Sequence, residues 1–372
     1  MSFTLSTIDS KLSKIRPLLV ETGGITDVQL SMDLGGAYEL KLNITPSLGT
    51  GFDYLKQGSW DIRLTTDYGV DIAFTKNRQP QIDRQTGLTE LSFYSYLWNL
   101  KYSQRLVPFN LEYDGSANDI VKYLNTTKII FQCISDDRSI KFNTGVVDNL
   151  KLLEDICKSA GGWTFREYGI INQNGIDKVL IQYGDFSVLP TLYRANNISK
   201  SDDPFDDVSI KINSLKNNYS GDSVNYLMVL GDTGNGSDSS TVFYLNDNAG
   251  QFVQPTFPLV DKGQEINNQT AYYIQDTLAD PTTNKFETFV VSPCSSLKQL
   301  YYEGISHLKK QRDKNAYSFD FTFPRIVLPG EKVRVQYKYN QLEVDGTERL
   351  LFNIDEDYTL RALKFDLAKL KK

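Results

Sequence analysis

The chain has 372 residues, 40% hydrophobic and 23% charged, an ordinary globular balance with room for about two to four domains. Its formal net charge is -6 with no basic block, which excludes a sequence-specific nucleic-acid groove. Cys133, Cys157 and Cys294 are odd in number and widely spaced, which excludes a disulfide framework.

The first residues lack a charged segment followed by an apolar run, so no signal peptide is expected. No stretch approaches ~18 consecutive apolar residues, so no membrane span is expected either. With 22 Tyr and 20 Phe beside many Thr, Ile and Val, strands should dominate.

Residues 3 to 20 read as an arm or an edge strand. Residues 27–34 and 38–45 then alternate apolar and polar around Gly35 and Gly36, the signature of a hairpin. Further strands are predicted at 60–66, 68–74 and 88–93, with turns at Asp67 to Gly69 and Asp83 to Gly87. This spacing suggests a small barrel or sandwich.

From Leu91 to Pro108 a strand leads into a short helix and then an arginine-bearing return strand through Arg105. Ser116 is placed to cap a helix over Ala117 to Leu124, and a strand follows at 128–133. Residues 147–160 form a strongly amphipathic helix, with Val147, Leu150, Leu153, Ile156, Cys157 and Ala160 on one stripe. Asp148 can cap its start, and Gly161 with Gly162 stops it. Trp163 to Tyr168 and Lys178 to Gly184 then read as a strand pair, so this part has α/β character.

The chain is β again from about Pro204. Strands are predicted at 208–212, 225–231 and 241–245, the last two separated by the polar loop Asp232 to Ser239. Residues 246–285 look like a linker, rich in Pro and Asn. Leu297 to Arg312 is predicted helical, with Leu297, Leu300, Tyr301, Ile305 and Leu308 on its apolar face. Residues 317–323 alternate strictly, Pro329 and Gly330 form a turn, 332–339 is a strand, and 354–365 closes the chain. No repeat of ~20 to 50 residues is visible, which excludes a solenoid or propeller.

Several groups invite a chemical reading. Asp202, Asp203, Asp206 and Asp207, or the Asp232 to Ser239 loop, offer oxygens to a hard cation. Solvated loop carboxylates explain both, and the second lacks the downstream Glu of a calcium loop. Asp136 with Asp137, and Asp355 to Asp357, offer acid/base pairs for glycoside hydrolysis. That chemistry needs two carboxyls facing across a cleft, and neighbours on a strand point to opposite faces.

His307 is the one histidine, so any triad or His-containing zinc site would have to use it. Neither HExxH nor CxxC spacing occurs, and a packing role explains it. Gly161 and Gly162 end a helix where a phosphate loop begins one. Phe93, Tyr94, Tyr96 and Trp98, with Tyr317, Phe319, Phe321 and Phe323, could form a sugar platform. Alternation makes them half core and half outer face, where an interface is the simpler use. Asn-X-Ser/Thr sites such as Asn125 to Thr127 carry no weight without a secretory signal. The sequence therefore nominates no catalytic, cofactor-binding or metal-binding residue.

Taken in order, these elements resemble the phage tail and baseplate hub proteins. The 147–160 helix running into Gly161, Gly162 and Trp163 resembles the helix-to-aromatic-strand unit of that family. The Leu91 to Leu124 segment is similar to the part before it, and Phe323 to Val335 with its Pro-Gly turn to a late strand launch. The resemblance covers most of residues 20 to 367.

It implies a mainly β (α+β) chain with two small β-barrels of tail-tube type, an inserted α/β domain and a smaller β-rich insertion. The first barrel with its N-terminal arm would span 1–110 and the α/β domain 111–203. The second barrel would combine 204–245 with 315–372, and 246–314 would form the insertion, with β segments and one helix.

It also implies a trimer, in which three copies present six barrels and match a sixfold tail tube to a threefold tip. Implied partners are copies of itself, the tail tube or a distal tail protein, and a tip, spike or fibre protein, with a tape-measure protein as a further candidate. The site would be the virion tail tip, after synthesis in the host cytoplasm. Tail-associated lysins of this kind continue into a fibre or enzymatic region, whereas this chain ends just after its last expected strand. The competing classes are a tail-tip hydrolase and a receptor- or carbohydrate-binding module.

Overall fold

The fold was analysed in a computed structural model. It describes residues 3–9, 15–18, 25–44, 60–76, 81–82, 85, 87–102, 111–144, 148–196, 209–217, 226–231, 241–246, 264–266, 269–275, 286–291, 303–304, 306–307, 317–342 and 348–367. The fold is mainly β, built around a large sheet curled into a half-barrel.

That first sheet is antiparallel throughout. Its order is Ile15–Leu18, Phe3–Asp9, Trp60–Thr66, Asp71–Lys76, Thr89–Ser95, Glu39–Ile44, Ile25–Asp33 and Ala362–Asp366, with Gln81–Ile82 paired to Thr89–Ser95. Alternation explains why one face turns inward. Leu40, Leu42 and Ile44 are buried while Glu39, Lys41 and Asn43 stay partly exposed. Gly69, at φ 86°, supplies the left-handed residue of the turn between Trp60–Thr66 and Asp71–Lys76.

A second sheet has the order Tyr317–Thr322, Ser209–Asn217, Thr191–Asn196, Lys332–Leu342 and Glu348–Thr359. Thr191–Asn196 runs parallel to both neighbours, and the outer pairings are antiparallel. The two sheets share one core. Phe74 and Phe93 of the first belong to the same buried cluster as Ala195, Val333, Val335 and Ile354 of the second.

The α/β unit has its own core. Helix Asn149–Ser159 buries Leu152, Leu153, Ile156 and Cys157 against Phe165, Val179 and Ile181. At about 1.5–3 kcal/mol for each buried aliphatic side chain, this face supplies most of the helix's stability. Asp148 caps the start, its side chain accepting the Lys151 amide at 2.8 Å, and Gly161 at φ 64° ends it. Strands Ile129–Cys133, Ile176–Gly184 and Thr164–Gln173 form a three-stranded sheet, and Leu111–Ser116 pairs with Ser139–Thr144. The hairpin between the two long strands turns at Asn174 and Gly175, both at positive φ, as a two-residue hairpin of that sequence requires.

The pairing places several segments differently from the domain division expected from the sequence. Ala362–Asp366, expected in the second barrel, pairs with Ile25–Asp33 in the first sheet. Of 204–245, Ser209–Asn217 joins the second sheet. Tyr226–Gly231 and Thr241–Asn246 instead form a separate five-stranded sheet with Gln264–Ile266, Gln269–Gln275 and Phe286–Val291. Thr191–Asn196 lies in the second sheet, and Tyr96, Leu97 and Leu100 pack into the α/β core. Alternation fixes which face of a strand is buried, but not which edge it joins.

Candidate functional site: the seam joining three units

The α/β hairpin is wedged between the two sheets, and its contacts form a continuous seam. On the first-sheet side the Gly35 amide donates to the Phe165 carbonyl at 2.8 Å. The Tyr38 hydroxyl donates to the Glu167 carbonyl at 2.7 Å. Arg63 binds Asp71 through two nitrogens at 2.7 and 2.5 Å and reaches Asp177 of the hairpin at 3.3 Å. Gly169 sits so close to the backbone of the Asp71 strand that a Cβ there would lie 2.5 Å from the Asp71 carbonyl oxygen. Only a residue without a side chain fits, and it adopts φ 136°.

On the second-sheet side Arg166, 4% exposed, donates through Nη1 to the Pro329 carbonyl at 2.8 Å. Its Nε and Nη2 both donate to the Gln182 side-chain oxygen, at 3.0 and 2.8 Å. Lys332 donates to the Ser187 carbonyl. The Glu331 carboxylate accepts the Tyr193 hydroxyl at 2.7 Å and the Leu328 amide at 3.1 Å. Gly330, at φ 86°, packs its Cα under the Phe186 ring and beside Leu34, so all three units meet at this turn. The sheets are also tied directly. The Arg325 guanidinium lies over both Tyr68, at the turn of the first sheet, and Tyr193 of the second, while the Leu34 amide, donating to the Arg361 carbonyl at 2.8 Å, extends the first sheet's own ladder.

Burial sets the electrostatics here. It raises the Tyr38 hydroxyl well above its ordinary range, reinforced by the Glu167 charge, and pulls the Arg166 guanidinium down. Burial and the adjoining Glu331 likewise raise Tyr193. The Glu167 carboxyl is 0% exposed and is pushed up to about 7 by desolvation, against the opposing hydrogen bonds of the Leu97 amide and the Ser95 hydroxyl. This is a braced joint, its hydroxyl, guanidinium and carboxylate groups engaged with partners across the seam.

The residues with chemical potential in the sequence have other employment. Asp137 accepts the Ser116 hydroxyl at 2.5 Å and the Asn118 amide at 3.1 Å, bracing the start of helix Ala117–Lys122. Asp355 and Asp357 both pair with Arg334 across the strands, at 2.7 and 3.4 Å. His307 hydrogen-bonds Glu287 at 3.0 Å and stacks on Phe289 with ring centroids 4.2 Å apart. Phe93 and Tyr96 are core residues, while Tyr94 stacks on Trp98 at 4.8 Å under the Lys101 ammonium. The Cys157 thiol is raised by burial. Among the described residues no three His, Cys, Asp or Glu side chains gather as a metal site, and no helix is long and apolar enough to cross a membrane. Asp202 to Asp207, Asp232 to Ser239, Arg105 and the side chains of Tyr317 and Phe319 lie outside the described residues.

No protein-family model and no curated protein matches the sequence. Solved structures do match. The tail protein from Neisseria meningitidis MC58 aligns over 98% of this chain and 92% of its own, with TM-score 0.52 and 11% identity. This chain has a phage tail protein fold. The 43 kDa tail protein of prophage MuSo2 from Shewanella oneidensis aligns over 97% and 94%, with TM-score 0.50 and 10% identity. Prophage tail protein gp18 from Listeria monocytogenes EGD-e covers 97% of this chain and 90% of its own at TM-score 0.49 and 10% identity. The mainly β tail-type architecture expected from the sequence is thus observed.

Sequence reasoning missed Tyr38, Arg166, Glu167 and Glu331. One signal was present. Trp163, Phe165 and Glu167 are spaced by two along a strand, so a carboxylate shares the face of two aromatic core residues. A charge at such a position is either an edge or a buried functional joint.

Proposed function

We propose that this chain is a non-enzymatic structural protein of a bacteriophage tail, a homotrimeric hub at the distal end that joins the sixfold tube to a threefold tip. The observation that carries the reading is the likeness to the Neisseria tail protein along nearly the whole of both chains. A curled sheet and a second sheet sharing one core, with an α/β unit braced against both, suit a part that transmits force between neighbours. The engaged carboxylates and the occupied histidine support a mechanical role over hydrolysis.

In this reading three copies close a ring whose side surfaces are complementary. The ring contacts the tube or a distal tail protein above, and a tip, spike or fibre protein below, with a tape-measure protein threading its channel. An acidic channel would let DNA pass without holding its phosphates, and the net charge of -6 agrees. Assembly would take place in the host cytoplasm and the finished protein would reside in the virion. Labelling of the chain in intact particles should place it at the tail tip, and its solution mass should show monomer or trimer. Label on the capsid, or a stable twofold dimer, would defeat the reading.

A further inference from the structure

We propose that Glu167 is a proton-operated latch on the seam between the first sheet and the α/β unit, holding the seam closed when its carboxyl is neutral and loosening it when ionised. The inference stands on the seam geometry and is independent of the tail assignment. Glu167 projects from Thr164–Gln173 into the turn at Tyr96–Trp98, where Oε2 accepts the Leu97 amide at 2.9 Å. Its other oxygen, Oε1, is buried with no hydrogen-bond partner. The carboxyl is shut off from bulk solvent, at 0% exposure. An ionised carboxylate there keeps one oxygen both dehydrated and unpaired, at far greater cost than a neutral acid.

The groups around it do not neutralise that charge. Tyr38 gives its hydroxyl to the Glu167 carbonyl, and its amide donates at 3.1 Å to the Ser95 hydroxyl, which offers the carboxyl a hydrogen bond but no charge. Tyr96 donates to Asp61 at 2.5 Å. Arg166, the next residue on the strand, is spent on Pro329 and Gln182, while Glu331 beyond it is held by Tyr193 and Leu328. Asp71, which Gly169 approaches, is bound by Arg63. Among the described residues no cation is paired with Glu167.

The same residue sits at the one irregularity of the hairpin, where the register shifts between Glu167 and Gly169. The ladder is locally disrupted there and the strand bends, so fewer backbone hydrogen bonds hold this stretch in place. Ionisation thus acts on contacts that hold two separate cores together.

The direction follows from linkage. Below the ordinary glutamate value of 4.5 the carboxyl is neutral in both folded and unfolded chains. Between 4.5 and about 7 the unfolded chain releases its proton and the folded chain keeps it, so stability falls as pH rises and levels off above 7. That separation corresponds to a change of about 300-fold in the unfolding equilibrium.

The test compares the full chain with Glu167→Gln, a neutral mimic, by urea unfolding and amide hydrogen exchange between pH 5 and 8.5. The native chain should lose on the order of 10²-fold in folding equilibrium relative to the variant across this range. The Gly35 and Leu97 amides should lose protection above pH 7 ahead of those in helix Asn149–Ser159. An unchanged ratio between the two proteins, or uniform loss of protection across the fold, overturns the latch. Should the variant fail to fold, carbon-detected titration of the native Glu167 carboxyl decides. A midpoint near 7 supports the proposal, and one in the ordinary carboxylate range overturns it.

Discussion

Gly330→Ala tests the three-unit joint most sharply. Gly330 adopts φ 86°, and an alanine Cβ would run into the Phe186 ring and come within 3.2 Å of a Leu34 methyl. The left-handed backbone costs an L-residue roughly 1–2 kcal/mol. Forcing the ring and the methyl apart in a packed core adds roughly 1–3 kcal/mol, so the total should be about 3 kcal/mol. Gly69 provides the control. It has the same φ of 86°, but among the described residues nothing lies within 4 Å of its added Cβ. Gly69→Ala should therefore carry the backbone cost alone, about 1 kcal/mol.

Urea unfolding followed by tryptophan fluorescence measures both, since Trp163 is buried in the adjoining α/β core. Phe186→Leu should relieve part of the Gly330→Ala loss, giving a favourable coupling energy of about 1 kcal/mol in a double-mutant cycle. Equal losses for the two glycine variants, or zero coupling to Phe186, would refute the packing argument and leave only backbone strain.

Three further outcomes follow from named contacts. Tyr38→Phe removes a buried 2.7 Å hydrogen bond and leaves the Glu167 carbonyl unpaired, so it should cost about 1–3 kcal/mol in thermal or urea denaturation. Asp148→Ala removes the helix cap and should cost about 1 kcal/mol, with faster hydrogen exchange confined to the first turn of Asn149–Ser159; Asp148→Asn should be nearly silent. Burial raises the Cys157 thiol, so in a Cys133→Ser, Cys294→Ser background a disulfide reagent at pH 8 should label Cys157 only after unfolding. Immediate labelling of the native chain would contradict the packing described.

Local signals carried the elements well. The Asn149–Ser159 helix, its Asp148 cap and its glycine stop were readable because the signals lie within one turn of the elements they mark. The hairpin strands of the first sheet were readable from alternation. Long-range pairing was not. Leu363 and Phe365 alternate as any half-buried strand does, and nothing local says that their strand crosses back to Ile25–Asp33. Tyr226–Gly231 reads equally well as part of either sheet.

The seam was hidden for a different reason. Three successive residues, Phe165 to Glu167, are buried because both faces of their strand are covered: Arg166 reaches Pro329 on one side, while Phe165 and Glu167 meet the α/β core and Leu97 on the other. The element order led to the tail-protein fold because order survives where residue identity, at 10–11%, does not.

The central claim is that this chain is a ring-forming structural part of a phage tail. A reconstruction of intact tail tips without imposed symmetry tests it most directly. Three copies of this fold should surround the axis between the tube and the tip, with the two-sheet core side by side around the ring. A tip that lacks the chain, or that holds it as a single peripheral copy or a twofold pair, would contradict the account.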